Sequence, residues 1–325
     1  MAAVVPFTAR QFARAVIMPN LRPPVTTVAA AAAYRQRILA AIPAATRFAP
    51  LMTLYLTDAT SPREIERASQ MDFVVGAKLY PAGATTHSDS AVTSIEKIYP
   101  VLDALQKHDL VLQVHGEVTD PDVDVFDREQ VFIDRVLSGL AERFPGLRIV
   151  FEHVTTRAAV QFVKQGRPGI AATITPQHLL LNRNALFQGG LRPHHYCLPV
   201  LKHEDDRQAL LQAAAENDRF FLGTDSAPHS RHTKETDCCS AGIFSAHAAI
   251  ELYAEAFEAI QRLDRLQAFA SERGADFYRL PRNDTTITLV KESWPVPDSY
   301  RFGPDELVPL RAGGRMSWRL SESAQ

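Results

Sequence analysis

Short apolar runs alternate with helical stretches along most of the chain. In order, these apolar runs are RAVIMPN, FAPLMTLYLTD, FVVGAKLYP, LVLQVHGEV, LRIVFEHV, GIAATITPQHL, HHYCLPVL and FFLGTDSAPH. Most of them precede a segment with the signals of a helix, such as Ser61 and Glu64, which fit a capping box before an amphipathic stretch. Apolar strands that alternate with helices are typical of parallel sheets.

The number of predicted strands approaches eight, which favours an α/β fold of the TIM (β/α)8 type over an open doubly wound sheet. No glycine-rich phosphate loop follows an early strand, which weakens a dinucleotide-binding interpretation. We assign residues 1–280 to the barrel. We assign residues 281–325, with Trp294 and several prolines, to an appendage packed on the barrel.

Composition and charge narrow the classes of partner. The chain has 325 residues, of which 46% are apolar and 22% charged, and its net charge is −2. This balance argues against an electrostatic grip on nucleic acid or an anionic membrane, and no apolar run is long enough to span a bilayer. The three cysteines, Cys197, Cys238 and Cys239, make a poor disulfide framework, so we expect a cytoplasmic protein. Since nucleic acid and membranes are disfavoured, we expect a small-molecule substrate.

Lys78 is an unusual residue for its position. It lies near the end of an apolar run that should be a buried strand, and a buried ammonium group costs several kcal/mol unless something compensates it. The next loop contains Gly83, Thr85, Thr86 and Ser88, a composition that suggests a functional loop.

Other polar residues share this placement at strand ends. His115, His153 and Asp225 each end a predicted strand, and Asn20 ends the first one. In a parallel barrel these ends converge on one mouth, where active sites of this fold lie. Each residue also has an ordinary explanation, since a histidine can be hydrogen-bonded in the core, a lysine can extend to solvent and an aspartate can cap a helix. The shared placement favours a metal site over these separate explanations.

Carboxylation of Lys78 would account for its burial. Desolvation favours the neutral form of an amine, and a neutral amine reacts with carbon dioxide to give a carbamate. A carbamate is a carboxylate on a long arm and can bridge two cations. Two metal ions about 3.5–4 Å apart can share one hydroxide and polarise a carbonyl group.

Long motifs in the same order resemble those of class II dihydroorotases of the bacterial PyrC type, which are TIM barrels of the amidohydrolase superfamily. The segments are IMPNLRPPVTTVAAAAAYRQRI, AKLYPAGATT, VHGEVTD, FDRE, FEHVTT, AATITPQHLLLNRN, YCLPVLK and FLGTDSAPHSRHTKE. The resemblance implies the interconversion of N-carbamoyl-L-aspartate and L-dihydroorotate in pyrimidine synthesis. It also implies two zinc ions per subunit and a homodimer.

The resemblance assigns roles to individual residues. Lys78 would be the carboxylated bridging ligand, and His115 and His153 would hold the second metal. Asp225 would bind the first metal and act as general base and acid. Asn20 and His229 would contact the substrate carboxylate. Leu198 and Ala241 would contact the ring through backbone groups. Thr85 and Thr86 would lie in a mobile loop that closes over the substrate.

The chain departs from the family at its start. Family members carry a His-x-His-x-Arg motif on the first strand, and no His-x-His occurs in this sequence. Met1 falls just after the place where that motif should end, so we expect the first barrel strand to be truncated. Two interpretations stay open: a translation start assigned too late, or a shortened and impaired form that holds one zinc well and the other poorly.

Two other functions remain as alternatives. One is another cyclic amidase, such as a hydantoinase or allantoinase, although the MPN and TDSAPH segments favour dihydroorotase. The other is a non-catalytic dihydroorotase-like partner of aspartate transcarbamoylase. Such a partner should lose metal ligands across the chain and should purify without zinc.

Overall fold

A computed structural model describes residues 1–44, 46–84 and 90–321. The chain divides into two compact units. The sheet unit consists of residues 14–154 and 158–173, and the terminal unit consists of residues 1–13, 155–157 and 174–325. The predicted boundary at residue 280 stays a prediction.

The main sheet has seven strands, and their order in the sheet is their order in the chain. The neighbouring pairs from β1 to β6 are parallel, which confirms the predicted α/β alternation. The strands are β1 Arg14–Ile17, β2 Ala49–Tyr55, β3 Val74–Leu79, β4 Val111–Val114, β5 Ile149–Phe151, β6 Ile170–Ile174 and β7 Phe220–Leu222.

Twelve α-helical segments occur among the described residues. They are α1 Val5–Ala9, α2 Val28–Leu39, α3 Pro62–Ser69, α4 Tyr99–Lys107, α5 Arg128–Phe132, α6 Ser138–Arg143, α7 Arg157–Gln165, α8 Pro176–Leu180, α9 Glu204–Glu216, α10 Arg231–Lys234, α11 Ala249–Ala259 and α12 Arg273–Phe277. None of these has the length and apolar character required to cross a membrane.

Shorter elements complete the fold. Single π-helical turns join α5 to α6 and precede α12, and five 3₁₀ turns lie in the connections of the described residues. Three small antiparallel pairs form near the C-terminus: β10 Tyr300–Phe302 with β11 Asp305–Leu307, β9 Trp294–Pro295 with β12 Arg315–Met316, and β8 Leu289–Val290 with β13 Arg319–Leu320.

The predicted capping box is only half formed. The Ser61 hydroxyl accepts a hydrogen bond from the Glu64 N–H at 3.3 Å, as expected for the N-cap of α3. The Glu64 carboxylate, however, accepts from the backbone N–H of Val28 at 2.7 Å. Glu64 lies in the first turn of α3, and this bond therefore connects α3 to the start of α2.

Strands β2 to β6 are buried along nearly their whole length, whereas β1 is only partly buried. Helices α2, α3 and α4 pack on β2, β3 and β4, respectively. Residues from Leu51 to Leu56 and from Val111 to His115 are all buried. This explains why these strands appear in the sequence as continuous apolar runs without alternating polar positions.

The run HHYCLPVL was wrongly predicted to be a strand. Pro193–His195 form a 3₁₀ turn, and the chain from Tyr196 to His203 has no strand pairing. The Leu198–Pro199 bond is cis, and proline has no N–H to donate to a ladder. Cys197 and Leu201 are instead buried in an apolar cluster of the terminal unit, so their burial alone produced the strand-like pattern.

Gly76 provides a test of the sheet register, because β3 passes very close to β4 at this residue. A Cβ atom on Gly76 would lie 2.2 Å from the carbonyl oxygen of Val111, its partner in the ladder. We expect Gly76→Ala to lower the free energy of unfolding by about 1–3 kcal/mol, because the backbone must shift to admit the methyl group.

Chemical denaturation measures this change, and Gly139→Ala is the matched control. Gly139 lies in α6 and has no atom within 4 Å of an added Cβ, so alanine there should be neutral or slightly stabilising. Equal unfolding midpoints for Gly76→Ala and the wild type would contradict the register.

Candidate functional site

Lys78 is fully buried near the carboxyl end of β3. It is the penultimate residue of the strand and is only 1% exposed, so the side chain does not extend to solvent. Its Nζ lies 5.0 Å from the centroid of the Tyr80 ring, within the range of a cation–π contact. Tyr80 is in turn stacked on Tyr55 of β2 at 5.2 Å. The aromatic rings stabilise a charge there only in part, so a further compensation is needed.

His115 and His153 face each other just beyond the ends of β4 and β5. His115 Nδ1 lies 3.2 Å from His153 Nε2, and both side chains are buried. The opposite nitrogen of His115, Nε2, lies 2.9 Å from a carboxylate oxygen of Glu117. A proton on Nε2 satisfies that bond, and the lone pair of Nδ1 is then directed towards His153.

Glu152 and Thr173 support the turn that carries His153. The Thr173 hydroxyl donates to the Glu152 carboxylate at 2.5 Å and accepts from the His153 N–H at 2.7 Å. His153 has φ +43°, a left-handed conformation that is costly for a residue with a side chain. The hydrogen bond from the His153 N–H to the Thr173 hydroxyl holds this turn in place.

Glu152 is also an electrostatic partner of Lys78. Burial raises the pKa of the Glu152 carboxyl, while the charge of Lys78 and the hydrogen bond from Thr173 act in the opposite direction. The sequence offered no acidic neighbour for Lys78 along the chain, but the fold brings one close from the next-but-one strand. Lys78, His115 and His153 therefore lie together with two buried carboxylates within the sheet unit.

Asp225 lies in the terminal unit, three residues after the end of β7. Its φ is +41°, so it also occupies a strained turn that follows a strand. Burial raises the pKa of the Tyr253 hydroxyl well above its ordinary value, and the charge of Asp225 adds to the rise. Asp225 therefore lies near the buried hydroxyl of Tyr253, which donates to the carbonyl of Ile174 at 2.7 Å.

The terminal unit also brings together the segments that carry Leu198, His229 and Ala241. The Gly242 N–H donates to the carbonyl of Tyr196 at 3.0 Å. Gly242 has φ +149°, and a Cβ atom there would lie 2.8 Å from the His229 ring, so these backbones pack closely. Three of the four predicted substrate-binding residues thus lie on loops that contact one another.

The other predicted site residues are placed as follows. Asn20 lies in the loop after β1 and is partly exposed; the Val25 N–H closes this loop on the carbonyl of Pro19 at 3.0 Å. Thr85 and Thr86, predicted for a mobile loop, lie outside the described residues.

Sequence reasoning missed Glu117 and Glu152 as partners of the site. Both stand beside the histidines in the motifs VHGEVTD and FEHVTT, and that adjacency was the available signal. Within the described ranges, no three or more His, Cys, Asp or Glu side chains are grouped so as to hold a metal ion.

Comparisons with known proteins bear on the family and the fold of the chain. Residues 2–288 match the model of the amidohydrolase family. The chain is 63% identical to a dihydroorotase of Nitrosomonas europaea, over 99% of this chain and 93% of the relative. It is 62% identical to a dihydroorotase of Aromatoleum aromaticum, over 98% and 94% of the two chains.

Solved structures show the same fold. A dihydroorotase from Saccharomyces cerevisiae in complex with 5-fluoroorotic acid is 32% identical, with a TM-score of 0.90 over 98% of this chain and 93% of that one. A dihydroorotase from Campylobacter jejuni is 35% identical, with a TM-score of 0.90 over 99% and 92%. An L-hydantoinase from Arthrobacter aurescens, at 16% identity and a TM-score of 0.78, shares the fold alone. These likenesses confirm the predicted TIM-type barrel.

The role of Thr173 in the site can be tested by thermodynamics. Thr173→Val keeps the shape of the side chain but leaves the buried His153 N–H without this acceptor and the Glu152 carboxylate without this donor. We expect it to lower the free energy of unfolding by about 1–3 kcal/mol. Thr173→Ser keeps the hydroxyl and is the matched control. Equal stabilities of the two variants by denaturant titration would show that the hydrogen bonds contribute nothing.

Proposed function

Since the chain belongs to the dihydroorotases of the amidohydrolase family, we propose that it catalyses the reversible cyclisation of N-carbamoyl-L-aspartate to L-dihydroorotate. In this reaction the terminal ureido nitrogen bonds to the carbon of the side-chain carboxyl group, and one oxygen leaves as water. The observation that carries the proposal is the facing pair of His115 and His153 beside buried Lys78, in a chain more than 60% identical to dihydroorotases.

Members of this family are generally metal-dependent, and the histidine pair fits a metal ion. Two nitrogen ligands bound to tetrahedral zinc at about 2.0–2.1 Å lie about 3.3 Å apart. The separation of His115 Nδ1 and His153 Nε2 is 3.2 Å, which supports the proposal that these two atoms are metal ligands. We propose zinc, which would polarise the reacting carbonyl and acidify water. The family holds two ions per subunit, and the first of these sites is incomplete in this sequence because the His-x-His motif is missing.

Lys78 would supply an oxygen ligand after carboxylation. The amine nitrogen bonds to the carbon of carbon dioxide, and the amine loses a proton, which leaves a carbamate at the buried end of the side chain. Burial of Lys78 supports this assignment, because a carbamate bound to cations replaces an ammonium group that water cannot reach. Glu117 would hold the Nε2 proton of His115 and so keep Nδ1 available as a ligand.

Asp225 would move the proton at the reacting amide nitrogen. A carboxylate can accept the proton from the ureido nitrogen during ring closure and return it during hydrolysis. Its place just after a barrel strand, in a strained turn, supports this role, since catalytic residues of this fold come from strand ends.

Recognition of the substrate would fall on the loops. Asn20 and His229 would bind the free carboxylate, while the backbone of Leu198 and Ala241 would bind the ring. The contacts among the loops of Leu198, His229 and Ala241 in the terminal unit support this grouping. Thr85 and Thr86 would belong to the closing loop. We expect a cytoplasmic homodimer.

A comparison of substrates tests the proposed function. The zinc-loaded protein should interconvert N-carbamoyl-L-aspartate and L-dihydroorotate, and it should act on hydantoin and dihydrouracil at least about 100-fold more slowly, because those rings lack the carboxylate. Removal of metal with a chelator should abolish turnover, and added zinc should restore it. Comparable rates on hydantoin would favour a hydantoinase, whereas no turnover of any ring would contradict a cyclic amidase.

The role of Glu117 gives a prediction that does not depend on turnover. Glu117→Gln replaces the carboxylate that bonds to His115, and we expect zinc affinity by equilibrium dialysis to fall by about 10–100-fold. Glu251→Gln is the control, because Glu251 is an equally buried glutamate that bonds to the Leu320 N–H in the terminal unit. Unchanged zinc affinity in Glu117→Gln would exclude this orienting role.

A further inference from the structure

Lys234 is a buried cation whose bonds all go to backbone carbonyls. It ends the short helix α10 and is only 2% exposed. Its Nζ lies 2.8 Å from each of three carbonyl oxygens, those of Tyr196, Ser240 and Gly242. An ammonium group has three N–H donors, so these three bonds use its whole donor capacity.

The three carbonyls belong to two segments that are far apart in sequence. Tyr196 stands two residues before Leu198, and Ser240 and Gly242 stand on either side of Ala241. The Gly242 N–H also donates to the Tyr196 carbonyl, so this oxygen receives bonds from both the lysine and the opposite segment. If the ammonium group were removed, the backbone hydrogen bond from Gly242 to Tyr196 would remain, but the bonds from Lys234 to both residues would be lost.

We infer that Lys234 is a positioning residue that fixes the backbone around Leu198 and Ala241 in the arrangement that receives the substrate ring. The inference rests on the proposed function, because these two residues are substrate contacts only if the chain is a dihydroorotase. Lys234 would not touch the substrate. It would act through the three carbonyls to which it donates. Its loss would weaken substrate binding more than it slows the chemical step.

The charge of Lys234 is sensitive to pH in the range of a normal assay. Burial lowers the pKa of Lys234 to about 8, and the nearby thiols of Cys239 and Cys197 act against this decrease. Two further titratable side chains lie beside it, His195 and Tyr196. Burial is the main cause of the lowered pKa of His195, and the charge of Lys234 contributes, while the Tyr196 ring centroid lies 5.6 Å from Lys234 Nζ. At pH 7 the amine is protonated and donates three bonds. Above pH 8 it loses one donor and its charge, which should loosen the two segments.

Arg273 offers a matched control for a purely structural role. It is also buried, at 6% exposure, and it donates to the carbonyls of Ala214, Ala215 and Phe220. None of these carbonyls flanks a proposed substrate contact. Arg273→Met and Lys234→Met therefore both remove a buried cation that donates to three carbonyls, and only those of Lys234 flank proposed substrate contacts. Arg273→Met also removes an ion pair with the exposed Asp218 at 3.2 Å.

The test compares the steady-state kinetics of the zinc-loaded wild type, Lys234→Met, Lys234→Arg and Arg273→Met with L-dihydroorotate. We expect KM to rise about tenfold or more in Lys234→Met, with kcat reduced less than about threefold and zinc content unchanged. Lys234→Arg, which keeps a cation with several donors, should recover part of the loss. In the wild type, KM should rise above pH 8, and this rise should be absent in Lys234→Met.

A KM in Lys234→Met within about twofold of the wild type would overturn the inference, as would an equal rise in Arg273→Met. If Lys234→Met does not fold, the dependence of the wild-type KM on pH tests the inference instead. A wild-type KM that stays constant from pH 7 to 9 overturns it. An inactive wild type would contradict the proposed function, and the inference would fall with it. An active wild type with unaffected variants would contradict the inference alone.

Discussion

The burial of the Lys78 amine is the constraint on which the rest of the site depends. An ammonium group in the interior is costly unless charges or hydrogen bonds compensate it, and the sheet unit surrounds Lys78 with an aromatic ring and the buried carboxyl of Glu152. The raised pKa of Glu152 shows that this carboxyl is itself penalised by burial. Chemistry that changes the amine would relieve the cost of burying both groups. Carboxylation and metal binding would convert an expensive cation into a shared ligand.

Strained turns after parallel strands place the other functional groups. His153 and Asp225 both have left-handed backbone conformations just beyond strand ends, β5 in one case and β7 in the other. Such strain persists where the surroundings hold it, and for His153 the holding contact is its N–H bond to Thr173. The same hydroxyl bonds to Glu152, so one threonine connects the backbone of a proposed metal ligand to the electrostatic partner of Lys78. A substitution of Thr173 should therefore affect both the stability of the fold and the geometry of the proposed metal site.

The sequence predicted what depends on local pattern and missed what depends on tertiary contact. The apolar runs predicted all seven strands of the main sheet. Lys78, His115, His153 and Asp225 lie at or just beyond strand ends as expected, and their roles in the site stay predictions. The run HHYCLPVL was misassigned because burial in an apolar cluster produces the same pattern as a buried strand. Glu152 was missed because its partner Lys78 is 74 positions away, and no local rule pairs two buried residues at that separation. Glu64 likewise bonds to α2, which its capping motif could not show.

The most direct measurement is a crystal structure of the zinc-loaded protein, with anomalous scattering recorded at the zinc edge. The account predicts a zinc peak within about 2.0–2.1 Å of His115 Nδ1 and His153 Nε2. It also predicts carboxylate density attached to Lys78 Nζ and directed at the metal. A bare amine at Lys78 in a fully loaded crystal, or zinc bound away from the two histidines, would contradict the account.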